Sequence, residues 1–156
     1  MTDADAVRET LTDLVQASAR LVQAIRRITR DNGSDESIAT WRTLGVLQRS
    51  GPLRVGALAD ASQVAQPTMT KLVSGLVDRG WVERLPDSAD ARASQIGISD
   101  AGTTALREWR AELASVLLPY FGDLSARDLD ALRRTVSLVD THIAGIEPAQ
   151  IQEVAS

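Results

Sequence analysis

A mainly α-helical chain of the α+β kind, six helices with one two-stranded hairpin, is predicted by three observations. Apolar residues recur at three- and four-residue steps in three long stretches, one at the start of the chain and two at its end. Between residues 34 and 98 the texture changes to short helical segments punctuated by turn residues. In that region two short runs alternate with period two around a loop rich in Asp, Ser and Pro, the mark of a hairpin. The 156 residues suffice for one compact domain with helical extensions. With 44% apolar and 24% charged residues the composition is that of an ordinary soluble globular chain. No apolar run approaches the ~20 residues of a membrane span, and Met1–Gln16 lacks the basic start and apolar stretch of a leader. A cytoplasmic protein without membrane partners is expected. No cysteine and one histidine exclude disulfides, thiolate nucleophiles and a Cys/His zinc site within one chain, and no metal or cofactor is expected.

The first helix carries Val7, Leu11, Leu14/Val15, Leu21/Val22, Ile25 and Ile28, with Ser18 filling the gap. It begins after Thr2, Asp3 and Asp5, which are N-cap types, and stops at Asp31-Asn32-Gly33. Its length of about 26 residues makes a rod of roughly 39 Å. A second helix spans Ser37–Arg49, with Ile38, Trp41, Leu44 and Leu47 on one side, and is broken by Ser50-Gly51-Pro52. Val55–Ala61 is a short third helix carrying Leu58. Gln66–Arg79 is the fourth, with Met69, Leu72, Val73, Leu76 and Val77, and Gly80 ends it. The hairpin strands are Trp81–Leu85 and Ser94–Ile98, with Gly97 suggesting a bulge in the second. A fifth helix starts near Ser99-Asp100, carries Leu106, Trp109, Leu113 and Val116/Leu117, and is expected to stop at Pro119. The sixth opens on the capping sequence Ser125-Ala126-Arg127-Asp128 and bears Leu129, Leu132, Val136, Val139, Ile143 and Ile146 at alternating steps of three and four. Residues 149–156 are expected to be a flexible tail.

Helix, short helix, turn, helix, hairpin is the layout of a winged helix-turn-helix, which places that lobe at residues 34–98. The remaining helical parts, 1–33 and 99–148, present more apolar face than so small a core can cover. A twofold copy of the chain is the economical cover, which makes Val7, Leu11, Leu14, Leu129, Leu132, Val136, Val139 and Ile143 candidate interface residues. A monomeric bundle with these stripes turned inward is the alternative.

The chemistry of the lobe concentrates at the start of the fourth helix. With Met69, Leu72, Val73 and Leu76 facing inward, Gln66, Thr68, Thr70, Lys71 and Ser74 must face outward, mostly within two turns of the N-terminus. Pro67 fits the first turn, where its missing N–H costs nothing. Short hydroxyls, one amide and one ammonium on the positive end of a helix suit major-groove base edges and nearby phosphates. A solvated face with ordinary cap residues is the bland alternative.

Leu58 to Ala105 resembles the MarR family of bacterial transcriptional regulators. The resemblance is carried by Leu58-Ala59, by Gln66-Pro67-Thr68-x-Thr70, and by Leu72-Val73-x-x-Leu76-x-x-x-Gly80-x-Val82-x-Arg84. It continues with Asp90-x-Arg92-Ala93 and Ile98-Ser99-x-x-Gly102, so that it covers about a third of the chain. The resemblance implies a homodimer with interlocked terminal helices and two winged lobes reading a pseudo-palindrome. It also implies that Arg92, near the wing tip, enters a narrow minor groove, with Asp90 orienting Arg92 or pairing with Arg84. Gln63 stands where the family usually has Gly, which would force a non-Gly residue to positive φ. Ala65 stands where a Ser or Thr cap is usual, and Gly56 weakens the short third helix.

Charge limits the DNA reading without removing it. Residues 1–53 and 54–92 are each neutral overall, and residues 93–156 carry the entire net charge of −4. Nucleic-acid contact must therefore come from a few placed side chains, to which Arg54 and Arg79 add candidate phosphate contacts. Trp41 and Trp109 lie on helices that border the family's interlobe cleft, where they could stack on a small aromatic effector; core or interface packing is the commoner role of such residues. Trp81 reads as core. His142 lies off the apolar stripe of its helix with no metal set around it. A homodimeric sequence-specific regulator of double-stranded DNA, acting as a repressor released by a small phenolic effector, is thus expected. A winged protein-interaction module that does not read DNA is the alternative. An enzyme has little support, since Asp87 and Asp90 read as residues of an open loop and no nucleophile–base set accompanies them.

Overall fold

The structure, a computed structural model, describes residues 3–31, 36–87 and 93–144, with the side chains of 29–31 left aside. The order is α1 (Asp3–Asp31), α2 (Ile38–Ser50), β1 (Leu53–Arg54), α3 (Val55–Ser62), α4 (Gln66–Asp78), β2 (Val82–Pro86), β3 (Ser94–Ile98), α5 (Asp100–Phe121) and α6 (Ala126–Ile143). The expected Asn32-Gly33 stop, the wing residues Asp90 and Arg92, Ile146 and the tail lie outside the described residues.

Local chemistry sets most of these boundaries. The Ser37 hydroxyl caps α2 by accepting from the Thr40 amide at 3.2 Å, and Gly51, at φ 74°, closes its other end. Both turns that flank α4 are Schellman closures. At the end of α3, Val64 N–H donates to the Ala59 carbonyl and Gln63 N–H to that of Asp60. Gln63 adopts φ 53°, the left-handed conformation its place in the turn demands. After α4, Trp81 N–H reaches the Leu76 carbonyl and Gly80 N–H that of Val77, with Gly80 at φ 69°. Ala65 provides no side-chain cap to α4. Ser125 caps α6 through the Asp128 amide.

Helices α2, α3 and α4 with the small sheet enclose one core: Trp41, Leu44, Val46, Leu47, Leu58, Ala59, Met69, Val73, Leu76, Val82 and Ile96, joined by Leu106 of α5. Trp81 packs half-buried against it. The start of α5 is stapled to the end of the α4 turn. Ser99 N–H donates to the Trp81 carbonyl and Ser99 Oγ to the Gly80 carbonyl. A side chain at Gly102 would place its Cβ 2.0 Å from the same Trp81 oxygen, so only glycine permits the approach.

Three expectations are corrected. The hairpin is part of a three-stranded antiparallel sheet in the order β1-β3-β2, with Leu53 opposite Ile96 and Arg54 opposite Gln95. Two residues carry no periodicity, so β1 is a product of tertiary pairing. Gly97 marks no bulge: β2 and β3 run in unbroken register from Val82↔Ile98 to Pro86↔Ser94. Its role is close packing, because a Cβ there would lie 2.8 Å from Leu85 Cδ1. Helix α5 passes through Pro119 and ends at Phe121. The proline φ suits a helix, and in an exposed last turn the freed Ser115 carbonyl can turn to water.

No residue of α6 is buried, and none of the described α1 side chains is. No helix among the described residues is long and apolar enough to cross a membrane.

Candidate nucleic-acid interface

Helix α4 is held by its inner face, where Met69, Val73 and Leu76 are buried and Leu72 is half-buried. That anchoring leaves Gln66, Pro67, Thr68, Thr70, Lys71 and Ser74 exposed together on the outer face. The Thr70 hydroxyl donates to the Gln66 carbonyl at 3.0 Å, which ties its proton to the helix and leaves its lone pairs outward. The Pro67 position in the first turn leaves the neighbouring backbone N–H groups directed past the helix end, a partial positive charge that adds to Lys71.

Among the other candidates, Arg84 is exposed on β2 and faces Ile96 across the strand pair. Arg54 is engaged: its Nε donates to Asp87 Oδ2 at 2.5 Å. Asp87 is not the open-loop carboxylate the sequence suggests; it is buried at the base of the wing. Nothing local in the sequence signals this pair, whose members stand 33 positions apart. Arg79 also has a structural engagement, an ion pair with Glu36, and its guanidinium lies 5.3 Å from the centroid of the Trp81 ring.

The three tryptophans form one column. Trp41 and Trp109 stack at 4.9 Å between centroids with planes 10° apart, and Trp81 tilts against Trp41 at 5.5 Å. Trp41 is enclosed, and its Nε1–H has no hydrogen-bond partner among the described residues. The indoles thus link α2, the end of the α4 turn and α5, so Trp41 and Trp109 at present take each other as stacking partner. One turn further along the same seam, Arg49 Nη1 and Arg110 Nη2 come within 3.5 and 3.7 Å of where a Cβ on Gly45 would stand.

The candidate interface residues of the terminal helices lie open in the single chain. Val7, Leu11, Leu129, Leu132, Val136 and Ile143 are exposed, while Leu14 and Val139 are half-buried. A shallow groove on α1, lined by Ala4, Val7, Leu11 and Val15 with Arg8 at its edge, continues the apolar stripe. Among the described residues no three His, Asp or Glu side chains come together in a way that could hold a metal ion. His142 is exposed on α6, with Nδ1 2.8 Å from the Leu138 carbonyl.

The sequence pattern of the MarR family matches residues 37–93, the stretch from the α2 cap to the far side of the wing. An uncharacterized HTH-type transcriptional regulator of Mycobacterium bovis is 30% identical over 139 residues, covering 89% of this chain and 94% of that protein. The HTH-type transcriptional repressor IacR of Pseudomonas putida is 21% identical over 81% of this chain and 74% of its own length. The crystal structure of NadR in complex with 4-hydroxyphenylacetate superposes with a TM-score of 0.55 at 24% identity, covering 87% of this chain and 92% of that one. The order of the helices, the wing and the matching stretch lead to one conclusion: the chain belongs to the MarR family of winged helix-turn-helix, DNA-binding transcriptional regulators.

Proposed function

We propose that the protein is a homodimeric repressor that binds a pseudo-palindromic DNA site and releases it on binding a small aromatic acid. The observation that carries the DNA half of this reading is the outer face of α4. Six exposed residues, Gln66, Pro67, Thr68, Thr70, Lys71 and Ser74, crowd its first turns over a fully packed inner face. A rigid helix with polar groups near its positive end is the form that enters a major groove. Twofold pairing through α1 and α6 sets two such helices about 34 Å apart, one turn of duplex. Acting on chromosomal DNA puts the protein in the cytoplasm. Repression is supported by the likeness to IacR, named as a repressor.

The effector reading draws on NadR, whose structure holds 4-hydroxyphenylacetate. Here the α2–α5 seam offers an indole column, one buried indole N–H and two guanidiniums near Gly45, a combination suited to an aromatic ring bearing a carboxylate. Such a ligand releases DNA only by preferring one spacing of the two reading helices over the other.

The test is selection of bound duplexes from a random pool, followed by sedimentation and titration with a panel of phenolic acids. Enrichment of a twofold-symmetric site by a dimer is the expected result. Lys71→Ala should weaken binding and lower the salt slope by about one, and Thr70→Ala should relax base preference. The neutral charge of residues 54–92 favours a second reading, a winged module that binds protein. No retention on a DNA column at low salt would support that module and overturn the repressor.

A further inference from the structure

One long side chain ties α2 to the end of α3 at the protein surface. Arg42 of α2 is exposed, and its Nη1 donates to the Ser62 carbonyl at 3.3 Å. Ser62 is the last residue of α3, so its carbonyl belongs to the set that a helix end leaves without an internal partner, at the negative end of the helix dipole. This bond fixes where the guanidinium stands without offsetting its charge, because the acceptor is neutral. A guanidinium has five N–H donors, and this bond uses only one of them. Arg79 differs on this point, since it faces a carboxylate, that of Glu36. Among the described residues no carboxylate pairs with Arg42.

The location matters as much as the charge. Ser62 stands four positions before Gln66, the first residue of α4, and a chain of that length reaches at most about 14 Å. The turn between them shortens that reach, because Val64 N–H returns to the Ala59 carbonyl and Gln63 is left-handed. The Arg42 guanidinium is therefore held roughly one major-groove width from the end of α4 that presents Gln66, Thr68 and Thr70. Where a helix tip enters a groove, phosphates line both of its edges.

We propose that Arg42 binds a DNA backbone phosphate beside the half-site that α4 enters. The Ser62 carbonyl orients the guanidinium at the turn, and the remaining N–H groups donate to phosphodiester oxygens. Arg42 thus supplies from α2 a positive charge that residues 54–92, neutral overall, lack. The contact sets affinity and register and reads no base. The inference rests on the reading of α4 as the helix that enters the groove.

Two substitutions separate charge from bracing. Arg42→Gln keeps a neutral donor for the Ser62 carbonyl and removes the charge, whereas Arg42→Lys keeps the charge. Wild type, both variants and Lys71→Ala are titrated over a range of salt concentrations on the selected duplex. The titrations are repeated on a duplex of the same composition in shuffled order, with thermal melts run alongside. Arg42→Gln should lose about tenfold in affinity on both duplexes, with a salt slope lower by about one for each subunit engaged. Arg42→Lys should keep the slope and recover most of the affinity. Arg42→Gln with the affinity and slope of wild type overturns the contact. So does a loss at unchanged slope with a lower melting midpoint, which makes Arg42 a brace for the turn. A loss confined to the selected duplex overturns it as well, because a phosphate contact is blind to base order. A wild type that binds neither duplex at low salt overturns the DNA reading itself, whereas Lys71→Ala weakened and Arg42→Gln not weakened overturns this inference alone. If Arg42→Gln melts below the assay temperature, Arg42→Met, which keeps an unbranched apolar stem, is read in the same way.

Discussion

Leu44, Leu47, Leu58, Met69 and Ile96 of the winged lobe are fully enclosed by their own chain, whereas Val7, Leu11, Val15, Val136 and Ile143 of the terminal helices are more than half exposed. Both sets sit at helical or strand spacing, and both belong to amphipathic elements. The difference lies in what covers them. The lobe closes three helices and a sheet around one core, and Leu106 of α5 completes it. On α1 and α6 these side chains stay open among the described residues, although α1 also touches α5. At about 25 cal/mol per Å² of apolar surface, five such side chains represent several kcal/mol that the proposed twofold pairing would recover. The lobe thus closes its core with the help of α5, and the open stripes of the terminal helices are the surface through which the proposed dimer would form.

Substitutions can break this comparison or sharpen it. The largest effect is expected from Val136→Glu combined with Leu132→Glu, which puts two charges into the proposed seam of α6. The pair should convert a sedimenting dimer to monomer and abolish binding to a symmetric site, and the thermal midpoint should lose its dependence on protein concentration. A dimer that survives both charges would mean that the stripe faces something else. Within the lobe, Leu44→Ala should cost about 2–5 kcal/mol in a denaturant titration, by lost burial and a residual cavity, and should leave the stoichiometry of the remaining folded protein unchanged. Gly102→Ala strikes the joint between the two regions. Its new Cβ must push against the Trp81 carbonyl, and a destabilisation of about 1–3 kcal/mol is expected, with a shift in tryptophan emission because the indole column is anchored at Trp81. The smallest effect, and the only stabilising one, is Ala65→Ser. A hydroxyl at the uncapped start of α4 should add about 1 kcal/mol to the melting free energy without altering the oligomer.

The two regions also differ in how far they could be read beforehand. The six helices are legible because each carries a long enough apolar stripe or a strong stop: Ser37 and Gly51 around α2, Gly80 after α4, Ser99 before α5. Gln63 is legible for a subtler reason. It stands where the MarR family usually has Gly, so the resemblance marks the position as left-handed, and its φ of 53° agrees. The outer face of α4 follows from its inner one, since fixing Met69, Val73 and Leu76 inward leaves Thr68, Thr70 and Lys71 no other side. The engagements of Arg54 and Arg79 are not legible. Each partner lies tens of residues away, Asp87 and Glu36 respectively, and carries no local mark of being buried or paired. Asp87 in particular sits in a run of Asp, Ser and Pro that reads as open loop, yet β1 brings a guanidinium to it.

By itself the sequence determined the order of the six helices and the hairpin, the residues turned outward on α4 and the excess of apolar surface at the chain ends. All of these follow from periodicity and from residue-specific backbone limits, which act over a few positions. Only the tertiary structure decided which strand joins the hairpin, that Pro119 stays within a helix, that three indoles stack into one column and that Arg54 clamps a buried carboxylate. Those outcomes depend on distances between segments far apart in the chain, set by how the core closes, and no local pattern encodes them.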